Sequence, residues 1–332
     1  GKGMNRGRCF VLLVLCLLGL VAIPVGAEQD WRDDIPPPED FITAVGFSRL
    51  MFEVESTDSW DEWGEFTPRA FFHAPDDTEV GIAVLGNTIY VGFRGTDIGV
   101  PVDIWANLNA HLVNVGFVGG KAHQGYWDKV FGSWVYQSLV DEVEQAYLTH
   151  GTNFDKVAIV GHSQGGALAT LFGSYYAHGR PDRLVSVSTF GSPRVGNEDF
   201  KQTLRSLPNL SIFRVVFEED MFARLPPRFM QYRHPGHLLH LQGSGSTRAY
   251  FQQTGDPGSS YVGIHSSEWD VNYLDFSDMT DPIDDHSDSE YLEALQKAAN
   301  NPSLWPTDFR RTERYCCRRI LWWCRRWCDR EV

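Results

Sequence analysis

One short stretch constrains the fold of this chain most strongly. Residues 156–170 read KVAIVGHSQGGALAT, an apolar run that stops at a glycine and is followed by a serine between glycines and then by small residues. The run predicts a buried strand over 157–160, and the small residues predict a helix over 164–177. Because a sharp strand-to-helix turn needs small residues two before and two after the serine, the stretch is typical of a nucleophile elbow.

The elbow reading has one alternative, which is a tight turn with an incidental serine. A second glycine, Gly166, follows Gly165, and the helix then begins with alanines. This context favours the elbow, in which the Ser163 oxygen stands above the sheet and the helix N-terminus stabilises developing negative charge. Ser163 is therefore the candidate nucleophile.

The rest of the chain alternates between apolar β-prone runs and segments of helical periodicity, and Gly86-Asn87 predicts a hairpin. Alternation of this kind predicts an α/β fold, with a mostly parallel central sheet and helices on both faces. We expect one domain from residue 28 to residue 308. The predicted strands are 80–85, 88–93, 157–160, 184–190, 211–217 and 238–241, and the predicted helices are 41–54, 125–148, 164–177 and 288–299.

A serine hydroxyl is a weak nucleophile unless a histidine takes its proton and a carboxylate orients that histidine. On α/β-hydrolase scaffolds the chain order is serine, acid, histidine. Three acids follow the predicted strand 211–217, and five histidines come after these acids. Among the histidines, His286 is favoured as the base, because it lies in a polar loop directly before the last predicted helix. The residues alone leave the acid open among Glu218, Glu219 and Asp220, and the base among His234, His237, His240, His265 and His286.

An acyl-transfer intermediate also needs two donors for its oxyanion. One is the backbone N–H of Gln164, directly after the serine, and the other should come from the end of an earlier strand. Thr96 follows the predicted strand 88–93 and offers both an N–H and a hydroxyl, although residues 94–97 can also be read as an ordinary turn.

Taken together, these motifs resemble those of the class 3, or fungal-type, lipase family of the α/β-hydrolase superfamily. The resemblance implies that Ser163 is the nucleophile, Asp220 the orienting acid and His286 the base, with Thr96 and Gln164 forming the oxyanion hole. It implies a secreted serine hydrolase of carboxylic esters, foremost a triacylglycerol lipase, with phospholipase A1, a feruloyl-type esterase or a non-catalytic lipid-binding relative as alternatives. No cofactor or metal is implied. The resembling motifs are FRGTD (93–97), IWANLNA (104–110), AHQGY (122–126), GHSQGGALA (161–169), TFGSPRVGN (189–197), DMFARLPP (220–227), YRHPG (232–236) and DDHSDSEYL (284–292).

The family carries a short lid over its active site, and the segment 97–105 stands at the corresponding place. The segment has an apolar side that suits a lid, but a short helix packed on the core is an equal alternative. The predicted lid residues are Ile98, Val100, Val102, Ile104 and Trp105.

The two ends of the chain differ from the acidic body. Residues 1–27 combine three basic residues with an apolar run and small residues before Glu28, which predicts a cleavable signal peptide rather than a membrane anchor. Residues 309–332 form a tail rich in cysteine, arginine and tryptophan. In an exported protein its four cysteines could form two disulfides, and the tail could lie on an anionic membrane surface, or it could be an appendage without function.

The net charge of the chain and the spacing of its histidines disfavour nucleic acid and a metal ion as partners. The net charge of −14 disfavours nucleic acid, so we expect a lipid or ester substrate at a lipid–water interface and no obligate protein partner. The spacing of His234, His237 and His240 in a β-like run points the side chains to alternate faces, which disfavours a metal site. Asn209-Leu210-Ser211 is a glycosylation sequon that applies only in a eukaryotic host.

Overall fold

The computed structural model describes residues 34–54, 56–58, 60–74, 76–95, 110–116, 119–132, 135–150, 154–250 and 284–307. The described residues from Ile35 onward belong to one compact unit. The predicted signal peptide (1–27) and the predicted tail (309–332) lie outside the described residues, so both stay predictions. None of the helices in the described part of the chain is long and apolar enough to cross a membrane.

A central sheet organises this unit. Within the described residues its eight strands lie in the order β1-β2-β3-β6-β7-β8-β9-β10, and β4 and β5 form a separate two-stranded ribbon. The pairs from β3 through β9 are parallel, whereas β1, β2 and β10 pair antiparallel at the two edges. The strands are β1 (Thr67–His73), β2 (Glu79–Leu85), β3 (Thr88–Phe93), β4 (Leu112–Asn114), β5 (Lys121–His123), β6 (Lys156–His162), β7 (Val185–Phe190), β8 (Leu210–Phe217), β9 (His237–Leu241) and β10 (Thr247–Tyr250).

Helices cover both faces of the sheet, and each face has its own apolar core. The first and last helices pack against each other on one face, and the others supply the core of the opposite face. This layering buries the parallel strands on both sides, as their continuous apolar runs require. The helices are α1 (Pro38–Glu53), α2 (Gln124–Phe131), α3 (Val135–His150), α4 (Gln164–Gly179), α5 (Glu198–Ser206) and α6 (Asp288–Asn300).

The predicted α/β fold, with its mostly parallel sheet, is confirmed, and so is the hairpin between β2 and β3. The single helix predicted over 125–148 is wrong, because α2 ends at Phe131 and α3 begins at Val135. Gly132 caps α2, and a Cβ there would lie 2.4 Å from the carbonyl oxygen of Asp128. A side chain at this position would collide with the last turn of α2, so glycine is needed where the helix ends, although the apolar periodicity continues.

The amide of Asn209, the residue before β8, binds the end of α4 and the turn that follows it. Its Nδ2 lies 2.9 Å from the carbonyl oxygen of Ala177 and 3.0 Å from those of Arg180 and Arg183. The residue is only 4% exposed. The folded chain therefore leaves the Asn209 sequon no room for a glycan, and the amide instead satisfies carbonyl groups at the end of α4.

We expect Asn209→Ala to lower the free energy of unfolding by about 1–3 kcal/mol, because it leaves buried carbonyl groups without their donor. Urea unfolding followed by circular dichroism measures the change. The matched control is Asn300→Ala, at an exposed position near the end of α6, which should change stability by less than about 0.5 kcal/mol. Equal effects of the two substitutions would contradict the structural role of Asn209.

Candidate active site

Ser163 stands at the carboxyl end of β6 in a strained backbone conformation, with φ of 55° and ψ of −130°. A Cβ on Gly161 would lie 2.3 Å from the carbonyl of Gly165, and a Cβ on Gly165 would lie 2.3 Å from the carbonyl oxygen of Phe93. Neither position can hold a side chain, which is the physical reason for the glycines of the motif. Strain of this size costs roughly 1–3 kcal/mol and persists only where the surroundings enforce it.

The end of β3 reaches this elbow. A Cβ on Gly95 would lie 2.9 Å from the carbonyl oxygen of His162 and 3.4 Å from Cβ of Ser163. Thr96, the next residue along the chain, lies outside the described residues, so its oxyanion role stays a prediction. Gln164 is the first residue of α4, directly after Ser163.

Asp220 and His286 form a buried pair. Nδ1 of His286 lies 2.8 Å from Oδ2 of Asp220, and the two side chains are 1% and 0% exposed. Because a carboxylate only accepts hydrogen bonds, Nδ1 carries the proton, and Nε2 of the neutral ring is then an acceptor. Nε2 is buried and has no hydrogen-bond partner among the described residues. The pair thus offers one open basic nitrogen next to the elbow.

The side chain of one neighbouring acid, Glu218, is engaged elsewhere, and the backbone of the other, Glu219, contacts the loop that carries His286. Oε1 of Glu218 accepts a hydrogen bond from the N–H of Gly243 at 2.8 Å. The N–H of Glu219 donates to Asp285 at 2.9 Å, which ties the turn that carries the acid to the loop that carries the histidine. Burial, followed by the surrounding acidic side chains, raises the pKa of Asp285 to about 6.

Two of the other candidate bases, His234 and His240, hydrogen bond to backbone carbonyls away from the pair. Nε2 of His234 lies 2.6 Å from the carbonyl oxygen of Ala223, and Nε2 of His240 lies 3.1 Å from that of Glu218. His265 lies outside the described residues. Among the described residues, no group of three His, Cys, Asp or Glu side chains is arranged to hold a metal ion.

Tyr291 on α6 completes the surroundings of the buried carboxylate, and the sequence analysis missed it. Its hydroxyl lies 2.6 Å from Oδ2 of Asp220, while Oδ1 accepts the N–H of Phe222 at 2.8 Å. Burial, followed by the Asp220 carboxylate, raises the pKa of Tyr291 well above its usual value, so the hydroxyl stays protonated and donates. A signal existed in the sequence, because Tyr291 lies five residues after His286, on the helix that this histidine precedes.

His162, which lies between Gly161 and Ser163, positions His286 by binding its backbone. Its Nε2 lies 2.7 Å from the carbonyl oxygen of His286, and the two ring centroids are 4.5 Å apart. Burial, followed by the proximity of His286, lowers the pKa of His162 well below its usual value. The neutral ring therefore donates from Nε2 and fixes the backbone of His286 against the elbow.

Arg194 holds the connection that leaves Asp220. It is buried, and its guanidinium donates from Nη1 to the carbonyl oxygens of Arg224 and, at 2.9 Å, Pro226. This connection packs Phe222 against His286, with ring centroids 4.0 Å apart. The acid, the base and the segment after the acid thus form one packed unit. The predicted lid residues, Ile98, Val100, Val102, Ile104 and Trp105, lie outside the described residues, and the lid stays a prediction.

The family model for lipase (class 3) matches residues 90–230. Among curated relatives, the chain is 32% identical to a lipase of Rhizopus niveus over 157 residues, which cover 45% of this chain and 37% of the relative. It is 36% identical to secreted mono- and diacylglycerol lipase 1 of Fusarium solani over 168 residues, covering 49% of this chain and 46% of the relative. A third relative is phospholipase A1-Igamma1 of Arabidopsis thaliana, 37% identical over 94 residues, 26% of this chain and 18% of the relative. The chain spans less than half the length of these curated relatives.

Solved structures agree in fold. A triacylglycerol lipase described as having a serine protease triad at its catalytic centre superposes with a TM-score of 0.55 at 26% identity, covering 61% of this chain and 80% of the other. A propeptide complex of Rhizomucor miehei lipase gives a TM-score of 0.59 at 22% identity over 80% of this chain and 87% of the other. The second likeness shows the α/β-hydrolase fold alone.

We expect Gly191→Ala to lower kcat about 100-fold for any ester that the protein hydrolyses, because a small misplacement of reacting groups has an effect of that size. Gly191 has φ of 59°, and a Cβ there would lie 2.5 Å from Oδ2 of Asp220 and 2.8 Å from Nδ1 of His286. Steady-state kinetics on a soluble aryl ester measures the loss. Gly179→Ala is the control, since no atom lies within 4 Å of its added Cβ. Full activity of Gly191→Ala would remove the Asp220–His286 pair from the mechanism.

We expect Tyr291→Phe to lower kcat about tenfold with little change in KM, because it removes one of the donors to the buried carboxylate. The matched control is Tyr232→Phe. Tyr232 is equally buried, but its hydroxyl has no hydrogen-bond partner within the described part of the chain, so its removal should leave kcat unchanged. Equal kcat values for the two variants would show that the hydroxyl of Tyr291 does not support the pair.

Proposed function

We propose that this chain, whose residues 90–230 match the family model for lipase (class 3), is a serine hydrolase of carboxylic esters and foremost a triacylglycerol lipase. One observation supports the proposal above the others. A strained serine follows His162, whose ring bonds the backbone of His286, and His286 forms a buried pair with Asp220 and keeps a ring nitrogen that has no partner among the described residues. This arrangement suits acyl transfer by a serine–histidine–aspartate triad.

In the first half of the proposed reaction, Oγ of Ser163 attacks the ester carbonyl carbon while Nε2 of His286 takes the hydroxyl proton. Asp220 accepts the Nδ1 proton in a hydrogen bond throughout, which holds the ring in the productive tautomer and stabilises its charged form. The tetrahedral oxyanion is stabilised by the N–H of Gln164 and by the proposed second donor, Thr96. The imidazolium then protonates the leaving alcohol, and the acyl group remains on Ser163.

In the second half, a water molecule takes the place of the alcohol. Nε2 of His286 removes its proton as the water oxygen attacks the acyl-enzyme, and the proton returns to Oγ of Ser163 when the acid leaves. Every proton moves among groups of this chain, the substrate and the attacking water, so the proposed reaction uses no cofactor.

The substrate class follows from the relatives. Two of those described above are named as lipases, and one of these is named for mono- and diacylglycerols. We therefore propose triacylglycerols and partial glycerides at a lipid–water interface as the first substrates to test. Phospholipase A1 activity is the second candidate, since a relative of 37% identity carries that name.

We also propose that the protein is secreted. The basic and apolar pattern of residues 1–27 supports a cleavable signal peptide, and the Fusarium solani relative is named as secreted. Under this proposal residues 28–308 are the hydrolase domain, and 309–332 are a separate tail.

Ser163→Ala should abolish ester hydrolysis while the protein stays folded, since loss of a nucleophile removes several orders of magnitude of rate. The matched control is Ser192→Ala, a second buried serine, which should keep its rate. Rates on emulsified long-chain glycerides, phospholipid vesicles and soluble aryl esters separate lipase, phospholipase and esterase activity. Labelling by a phosphonate probe should disappear in Ser163→Ala alone, and labelling that persists there would assign the nucleophile to another residue.

A further inference from the structure

Phe222 is a buried phenylalanine whose ring lies on the base of the candidate site. Its side chain is 3% exposed, yet it belongs to none of the apolar clusters formed by the described residues. The ring instead contacts His286, with centroids 4.0 Å apart and the two planes inclined by 32°. Rings that meet by their edges have centroids farther apart, so the faces of these two rings overlap.

The backbone of the same residue holds the acid. The N–H of Phe222 donates to Oδ1 of Asp220 at 2.8 Å, while Oδ2 of that carboxylate lies 2.8 Å from Nδ1 of His286. Phe222 begins a short 3-10 turn that ends at Arg224, whose carbonyl oxygen accepts a hydrogen bond from Arg194. The ring is therefore fixed relative to both members of the pair. A substitution such as leucine keeps the backbone bond and changes only the side chain that lies on the base.

The hydrogen bond at Nδ1 does not by itself set the direction of Nε2. The imidazole can still pivot about that bond, and the hydrogen bond from His162 holds the backbone of His286 and not its ring. Contacts on the ring restrict this motion. Phe222 provides one at 4.0 Å, and the ring of His162 provides another at 4.5 Å between centroids.

The contact with Phe222 also acts on the charge that the base acquires. In the proposed reaction His286 becomes a cation in each half of the cycle. The face of a benzene ring carries the negative part of its quadrupole and attracts a cation that lies within about 6 Å of its centroid. Because the two side chains are only 3% and 1% exposed, water weakens this attraction little.

We infer that Phe222 is a positioning residue for the base: its ring face holds the imidazole of His286 in place and stabilises it when it is charged. The inference rests on the proposed function, because it concerns the histidine that carries protons in the proposed reaction. It requires the aromatic face of residue 222 and not only its volume. An aliphatic side chain fills much of the same space and should not replace the ring.

The first test replaces the ring by an aliphatic side chain. Phe222→Leu removes the aromatic face and stays apolar. Phe200→Leu is the matched control, because Phe200 is 0% exposed and lies on α5 in an apolar core. Both variants are made in the full chain, their folding is checked by circular dichroism, and kcat and KM for a soluble aryl ester are measured over the acid limb of the pH profile.

We expect Phe222→Leu to lower kcat about tenfold with little change in KM, because the charged base occurs in the transition state and not in the bound ground state. The acid limb of kcat/KM should move to lower pH by about one unit, since a less stabilised imidazolium loses its proton more easily. Phe200→Leu should lower stability without moving the acid limb.

The other titratable groups around the base remain in these variants. Burial raises the pKa of Asp285 to about 6, so this carboxyl titrates in the range of the acid limb. The pH series is therefore repeated in Asp285→Asn, which keeps an oxygen for the N–H of Glu219. Within the described part of the chain, the titratable groups at or next to His286 are Asp220, His162, Tyr291, Asp285 and the two acids before Asp220, Glu218 and Glu219.

A second series changes the electrons of the ring and hardly its shape. Phenylalanine analogues with one, two and three ring fluorines are placed at position 222 by nonsense suppression, and at position 200 as the control. Fluorine withdraws electron density from the ring face and weakens its attraction for a cation. The acid limb should move to lower pH in steps with the number of fluorines at 222 and stay in place at 200. This series decides the question even where Phe222→Leu does not fold.

Three results would overturn the inference. The first is an acid limb that stays in place in folded Phe222→Leu or moves equally in Phe200→Leu. The second is the absence of a trend with fluorine number at 222, which would leave the ring a space-filling role. The third is a rise in KM at unchanged kcat, which would make Phe222 part of a substrate pocket.

Failure of the proposed function is recognised separately. It would appear as ester hydrolysis that persists in Ser163→Ala. The role of Phe222 is read without hydrolysis by following the NMR titration of the His286 ring in the Ser163→Ala background, with the signal assigned by its loss in His286→Asn. A midpoint that moves to lower pH with Phe222→Leu supports the inference there, and an unchanged midpoint contradicts it.

Discussion

The burial of the Asp220 carboxylate is the constraint on which the candidate site depends. A carboxylate withdrawn from water is costly unless donors replace its hydration. Here the replacements come from three parts of the chain, namely the N–H of Phe222, the ring of His286 and the hydroxyl of Tyr291. Each donor belongs to a different segment of the chain. The hydrogen bonds to this one carboxylate therefore also hold together the turn after β8, the loop before α6 and α6 itself.

A second constraint acts at the elbow, where neighbouring backbone segments approach each other more closely than any side chain would allow. Gly161 and Gly165 leave no space for a Cβ, and Gly191 leaves none between the elbow and the Asp220–His286 pair. These contacts join β3, β6 and β7 at their carboxyl ends, where α/β sheets place their chemistry. The hydrogen bonds to Asp220 and the close backbone contacts at the glycines therefore both fix the position of the Asp220–His286 pair.

The sequence could predict those parts of the fold whose signals are local. The buried strands and the elbow follow from apolar runs and glycine spacing, and they lie where the patterns put them. The break between α2 and α3 was missed because Gly132 interrupts the helix without interrupting the apolar periodicity. The strand β1 and the helix α5 were missed because the first contains Pro68, Arg69 and His73, and the second is mostly polar with buried Phe200 and Leu204. The choice of Asp220 and His286 among several acids and histidines came from family resemblance, since spacing alone left it open. Tyr291 and Arg194 act across long sequence separations, which no local pattern reports.

The contacts of α6 have a consequence for how the chain can be divided. The match to the family model ends at residue 230, yet His286, Tyr291 and the helix that packs on α1 all lie beyond it. A fragment of residues 90–230 alone would keep Ser163 and Asp220 and lose two of the three groups that hydrogen bond to Asp220. The stretch that the family model matches and the set of groups that hydrogen bond to Asp220 therefore have different borders, and a shortened version of the protein has to include both.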